Sequence, residues 1–137
     1  MRCLAIDYGE KRIGLAVSDI SNTIATSYKF IINSSKKFEN IKEIIEELKV
    51  THIVIGLPLL LNGQKGEKAL KVEEFSKELN NILGNKIEII FEDERLTTVS
   101  AERILLQGDL SRKKRKNKID ALAATLILQK YLDKRII

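Results

Sequence analysis

Three acidic positions stand where carboxylates can do chemistry. Asp7 closes the apolar segment Cys3-Leu4-Ala5-Ile6 and is followed at once by Tyr8-Gly9, so it sits at a strand end beside a turn. Glu92, Asp93 and Glu94 form a second cluster directly behind the apolar run of residues 86–91. In an open α/β sheet, ligands gather beyond the carboxyl ends of the parallel strands, so Asp7 and one member of this cluster are expected to converge. The third position is Asp120, on the same helical stripe as Ala123, Ala124 and Ile127 in an otherwise apolar segment. A carboxylate in a first helical turn is also favoured by the helix dipole, and the sequence leaves both readings open. Three converging carboxylates repel one another unless a hard cation neutralises them, and an oxygen-only donor set selects Mg²⁺ or Mn²⁺. Phosphate is then the natural substrate, because two such ions about 4 Å apart activate a water and stabilise the leaving oxygen of a phosphodiester.

The elements that must position these acids follow from the pattern of apolar residues. Residues 2–7 and 12–18 read as two strands around the turn Tyr8-Gly9-Glu10-Lys11, and residues 28–32 as a third. Phe38, Ile41, Ile44, Ile45 and Leu48 recur at helical spacing before the β-branched run at 52–55. Val72, Phe75, Leu79, Ile82 and Leu83 mark a second helix, stopped near Gly84-Asn85, and residues 86–91 form a strand. Further helices are expected over about 98–107 and 119–132. The order β-β-β-α-β-α-β-α-α predicts an α/β fold: one mixed five-stranded sheet with helices on both faces.

Length and composition bound the remaining possibilities. The chain has 137 residues, 44% hydrophobic and 31% charged, with 7 Gly and 1 Pro. That fits one globular domain over residues 1–137 with enough core to fold without disulfides, and it excludes disordered and collagen-like classes. One Cys and one His cannot build a disulfide or a His/Cys metal cage. The longest nearly apolar run, 53–61, contains Gly56 and Pro58 and is far short of the roughly 18 residues that span a bilayer. With no secretory signal pattern, a cytoplasmic protein is expected. The net charge of +5 is concentrated: Arg112, Lys113, Lys114, Arg115, Lys116 and Lys118 supply six cations, and the rest of the chain has 18 basic against 19 acidic residues. A basic loop of this kind immediately before Asp120 is a handle for a nucleic-acid backbone, or simply a solvated face.

Four ordered blocks carry a family resemblance. Ala5-Ile6-Asp7-Tyr8-Gly9-Glu10-Lys11-Arg12-Ile13-Gly14-Leu15-Ala16-Val17-Ser18-Asp19 resembles the DxGxKRIGxAxSD opening of the YqgF-type pre-16S rRNA nucleases, also described as Holliday junction resolvase-like proteins. Gly56-Leu57-Pro58 through Gly63 is similar to their GLPxxxxG loop, Asp93-Glu94-Arg95-Leu96-Thr97-Thr98 to their DERLTT block, and Asp120-Ala121-Leu122-Ala123-Ala124 with Ile127-Leu128-Gln129 to their last helix. The resemblance spans almost the whole chain. It implies a ribonuclease H-like fold and maps the catalytic, metal-holding acids onto Asp7, Glu94 and Asp120, choosing Glu94 over its neighbours.

Other motif residues acquire physical roles as expectations. Lys11 and Arg12 beside Asp7 suit a phosphate, against the alternative of a solvated turn. Asn62 is a candidate nucleotide contact or a turn former, and Arg95 pairs with a phosphate or a neighbouring carboxylate. Thr97 or Thr98 suits a helix N-cap. The 63–68 segment lacks phosphate-loop spacing, which argues against a nucleoside-triphosphatase. The resulting expectation is a metal-dependent nuclease acting on structured RNA, by resemblance the 5′ end of precursor 16S rRNA, with ribosomal precursor particles as partners and no membrane. A DNA-junction resolvase, which requires a homodimer where the RNA nuclease can be a monomer, and a non-catalytic nucleic-acid-binding module are the alternatives.

Overall fold

The computed structural model describes residues 2–94 and 112–135, with side chains in the last helix from residue 121 onward. Strands β1 (Cys3–Tyr8), β2 (Arg12–Ser18) and β3 (Ala25–Ile32) are followed by α1 (Lys37–Leu48), β4 (His52–Leu57), α2 (Glu67–Ile82), β5 (Glu88–Asp93) and α3 (Arg112–Arg135). The five strands form one sheet in the order β3-β2-β1-β4-β5. β1 pairs antiparallel with β2 and parallel with β4, and β4 pairs parallel with β5. The mixed α/β architecture read from the sequence is therefore present. The helix expected over 98–107 lies outside the described residues.

Alternation along β1 builds two cores. Leu4 and Ile6 point toward α1 and α2, where they join Ile13, Leu15, Ile41, Ile53, Ile55, Phe75 and Leu79. Cys3 and Ala5 point the other way, where Ala16, Val54, Ala124, Ile127, Leu128 and Leu132 close the layer beneath α3. Residues of opposite parity on one strand thus serve opposite faces, and Asp7 belongs to the α3 side. Cys3 is a packing residue, and burial pushes its thiol above the ordinary range.

The last strand, expected over 86–91, is Glu88–Asp93, and other boundaries are set by contacts or propensities that apolar spacing does not report. β3 begins at Ala25 instead of residue 28, because Ala25-Thr26-Ser27 is recruited by ladder pairing with β2 and by Gln129, whose Oε1 accepts the Ala25 N–H at 2.9 Å. α2 begins at Glu67, ahead of its large apolar residues, since Glu-Lys-Ala-Leu-Lys are good helix formers and Ala69 is already buried. The basic segment Arg112 to Lys118, expected as a loop, is instead the start of α3. Lys and Arg propagate helix well, the segment has no Gly or Pro, and the docked apolar half of α3 supplies the nucleus.

The turn that follows Asp7 is tightly defined. The Gly9 N–H donates to the Arg12 carbonyl at 3.0 Å, and a Cβ on Gly9 would lie 2.5 Å from that oxygen. Asn33 clamps the same turn, its Nδ2 donating to the Gly9 carbonyl at 2.8 Å and its backbone N–H to the Lys11 carbonyl at 2.9 Å.

Candidate active site

β1, β4 and β5 run parallel, so their carboxyl ends lie side by side, and the two acids of the sequence pattern meet there. Asp7 follows Ile6, which is in register with Ile55, while Gly56 and Leu57 face Glu92 and Asp93. Glu94 leaves β5 with its N–H donating to the Leu57 carbonyl at 3.2 Å, and its side chain folds back over Gly56. A Cβ on Gly56 would lie 2.3 Å from Glu94 Oε2 and 2.5 Å from Ile127 Cδ1. Glycine is therefore what lets the carboxyl group pass between β4 and α3. Sequence reading left Gly56 as a loop glycine; only the crossing of three elements reveals its function.

Glu94 and Asp7 line one cleft of about 420 Å³ with Tyr8, Gly9, Glu10, Pro58, Lys68 and Lys71. Burial, the nearby Asp7 charge and a hydrogen bond to Asp7 raise the Glu94 carboxyl well above the carboxylate range, while Lys68 opposes the shift. The two carboxyl groups are thus hydrogen-bonding neighbours. That donor set fits a divalent ion: two oxygen ligands of a hard cation converge, and the proton between them is what such an ion displaces. Among the described residues no group of three His, Cys, Asp or Glu side chains converges. The third acid of the pattern, Asp120, lies in α3.

The backbone sets the level of Asp120. Thr125 Oγ1 hydrogen-bonds Ser27 Oγ at 2.7 Å, Ser27 is in register with Ala16, and Ala16 with Ala5. Leu132 packs with Cys3, so α3 runs antiparallel to β1. Five helical residues back from Thr125 rise about 7.5 Å, and two strand residues on from Ala5 rise about 6.6 Å. The amino-terminal part of α3, with residue 120, therefore extends toward the carboxyl end of β1, the end at which Asp7 stands.

The other acidic residues of the second cluster are used differently. Glu92 is buried and accepts from Lys134 Nζ at 2.5 Å, with Lys130 Nζ at 3.9 Å. It ties β5 to α3. Lys130 also donates to the Asp93 carbonyl at 3.0 Å. The end of the first motif is structural as well. Ser18 Oγ accepts the Cys3 N–H, and Asp19 accepts from the Thr23 and Ile24 N–H groups and from Ser21, which holds its carboxyl far below the usual range.

Of the expected substrate contacts, Lys11 is exposed at the β1–β2 turn and the Arg12 guanidinium lies 5.4 Å over the Phe30 ring; neither lines the cleft. Asn62 spends its Oδ1 on the Gln64 N–H at 2.9 Å, within a turn where Gly63 has φ 85°. Arg95, Thr97 and Thr98 lie outside the described residues. Arg112, Lys113, Lys114, Arg115, Lys116 and Lys118 occupy the amino-terminal turns of α3. Two cleft residues that sequence reading passed over are Lys68 and Lys71; their only signal was cationic spacing of i, i+3 in a segment set aside for lacking a phosphate loop.

Comparison with known proteins places the chain in a family. A family model described as "RuvX: Holliday junction resolvase" matches residues 1–134. A protein of Sulfurihydrogenibium sp. (strain YO3AOP1) named "Putative pre-16S rRNA nuclease" is 50% identical over 133 residues, 97% of this chain and 90% of the relative. One of the same name from Thermoanaerobacter pseudethanolicus is 50% identical over 136 residues, 97% of this chain and 96% of the relative. Among solved structures, Thermus thermophilus RuvC in complex with Holliday junction substrate aligns with TM-score 0.58 at 16% identity, covering 99% of this chain and 96% of that one. The Fowlpox virus resolvase in complex with substrate Holliday junction DNA aligns at 0.61 and 11% identity over the full length of both. At such identities the likeness speaks for the fold, the ribonuclease H-like fold of the resolvases. The chain belongs to the RuvX family, a family of nucleases.

Proposed function

We propose that this protein is a divalent-metal-dependent nuclease that hydrolyses phosphodiester bonds in structured RNA, at the 5′ end of precursor 16S rRNA, on ribosomal precursor particles in the cytoplasm. The observation that supports the reading is the hydrogen-bonded Asp7–Glu94 carboxyl pair at the carboxyl ends of β1 and β5, in a cleft with room for a nucleotide. Asp7, Glu94 and Asp120 are the residues that would hold Mg²⁺ or Mn²⁺. The bound ion supplies a water of lowered pKa and charge compensation for the leaving oxygen. Glu94 must give up its proton for that set of ligands to form, so loading is coupled to proton release. Lys11 and Arg12 follow Asp7 closely in sequence, Arg95 adjoins Glu94, and with Asn62 of the turn after β4 they are candidates for flanking phosphates. The cations of the first turns of α3 add a salt-dependent grip on the backbone.

The test is cleavage of a labelled precursor 16S rRNA 5′ fragment in Mg²⁺ or Mn²⁺, with Asp7→Asn alongside and a four-way DNA junction as competitor. Metal-dependent RNA cleavage that disappears in the variant is the expected result. The family description and the junction-bound structural neighbours favour one second reading, resolution of a DNA junction. It requires two symmetric cuts and hence a homodimer, whereas the RNA nuclease can be a monomer or a homodimer. Junction cleavage by a dimer, with the RNA untouched, selects it. Binding without turnover of either substrate leaves a nucleic-acid-binding module.

A further inference from the structure

One pair of cations is built into the cleft and unassigned by the motifs. Lys68 and Lys71 line it with Asp7 and Glu94, and both side chains are exposed. The third lysine of α2, Lys77, lines a different groove with Ser76 and Asn80. Among the described residues Lys68 makes no ion pair within 4 Å, and Lys71 sits at the outer limit of pairing, 3.8 Å from Glu67 and 3.9 Å from Glu10, all three exposed. Exposed pairs at such distances contribute little and give way readily to a phosphate. Side chains at i, i+3 of a helix start about 5–6 Å apart, a spacing suited to neighbouring phosphates of one strand.

The cleft does not end at Lys71. Beyond Tyr8 and Lys71 it continues into a recess of about 240 Å³ among Lys37, Phe38, Glu74, Phe75 and Glu78. Tyr8 and Phe38 both stack on Phe75, with ring centroids 4.3 and 5.5 Å apart. Lys37 and Lys71 balance Glu74 and Glu78 there, with Lys37 Nζ 5.0 Å over the Phe38 ring, so the recess carries no net cationic charge and its aromatic floor suits a base better than a phosphate. At about 420 Å³ the cleft holds one nucleotide of a strand at a time.

We propose that Lys68 and Lys71 are a phosphate-binding pair that holds a single-stranded segment of the substrate across the mouth of the cleft, with the adjoining base in the Tyr8–Phe38 recess. The proposal deepens the nuclease reading and rests on it. The experiment is fluorescence anisotropy of a labelled single-stranded RNA oligonucleotide in EDTA over a salt series, for wild type, Lys68→Gln, Lys71→Gln, the double variant, Lys68→Arg and the control Lys77→Gln. The slope of log K against log salt is expected to fall by about 0.7 per lysine removed. Lys68→Arg retains the wild-type slope, Lys77→Gln leaves it unchanged, and a duplex of the same sequence competes poorly. A double variant with the wild-type slope, in a protein that still cleaves precursor RNA, overturns the lysine pair and spares the nuclease reading. A wild type that neither binds nor cleaves overturns both, and a duplex that competes as well as the single strand overturns the single-strand requirement.

Discussion

The two faces of the sheet are packed from different materials. The α1/α2 face is filled with Leu, Ile and Phe, including Leu4, Ile6, Leu15, Ile53, Ile55 and Phe75. On the α3 face the strands present Cys3, Ala5, Ala16 and Val54, smaller side chains, to Ala124, Ile127, Leu128 and Leu132 of the helix. Large aliphatics supply most of the burial energy, at about 1.5–3 kcal/mol per side chain. Small residues supply less but let a helix lie close. The difference teaches a division of labour: one face holds the fold together, and the other sets the height and approach of α3, and with it the geometry of the acids.

The comparison is broken most decisively at the acids themselves. Asp7→Asn should cut cleavage on the order of 10³-fold or more while the fold persists; thermal melts and single-turnover cleavage check both halves. Next comes Gly56→Ala, whose new methyl collides with Glu94 and Ile127. Cleavage should fall about 10²-fold, because a misplaced group costs that much, with a stability loss of about 1–3 kcal/mol from overpacking. A fully active Gly56→Ala protein would refute the folded-back path of Glu94.

A paired experiment then sharpens the contrast between faces. Leu4→Ala on the thick face should cost about 2–5 kcal/mol in urea unfolding yet leave cleavage well below the melting temperature within a few-fold of normal. Ala124→Leu on the thin face should cost less stability and more activity, by lifting α3. Equal loss of both in the two variants would erase the proposed division.

The smallest effect is on pH. Glu94 is held protonated in the folded state at pH values where it ionises in the unfolded chain, so the unfolded state binds fewer protons and stability falls as pH rises above the ordinary carboxylate range. Without divalent ions, melts at pH 5 and pH 8.5 should differ in that direction, and Glu94→Gln should flatten the dependence. Metal affinity should run the other way, increasing with pH as the proton is easier to displace. A Glu94→Gln protein with the wild-type pH profile would assign the dependence to another group.

Much of this was legible in the sequence because the relevant signals are periodic. Alternation gave the buried strands, and 3.6-residue spacing gave the α1 and α2 cores. That Asp7 meets one of Glu92, Asp93 and Glu94 followed from parallel strands ending side by side, and the family resemblance chose Glu94. What escaped depended on contacts far apart in the chain. Ala25 joins β3 through Gln129, 104 residues away, and no local propensity reports that. Gly56 looks like turn chemistry until Glu94 and Ile127 are seen on either side of it. Lys68 and Lys71 look like a solvated face until the β1 end is placed opposite them. The helical start of α3 was masked by its charge, because a run of like charges reads as loop unless the docked half of the helix is counted.

The position of α3 as the last element has a consequence for the protein during its own synthesis. β1 through β5 can pair as soon as they emerge, but Cys3, Ala5, Ala16 and Val54 remain uncovered until α3 follows. At about 5–20 residues per second, the ribosome leaves that face bare for a few seconds. Over the same interval Gly56 and Glu94 lack Ile127, the wall of α3 against which they pack. The thin face is thus the later of the two to be covered, and the end of the sheet where Glu94 folds back is completed only when α3 docks.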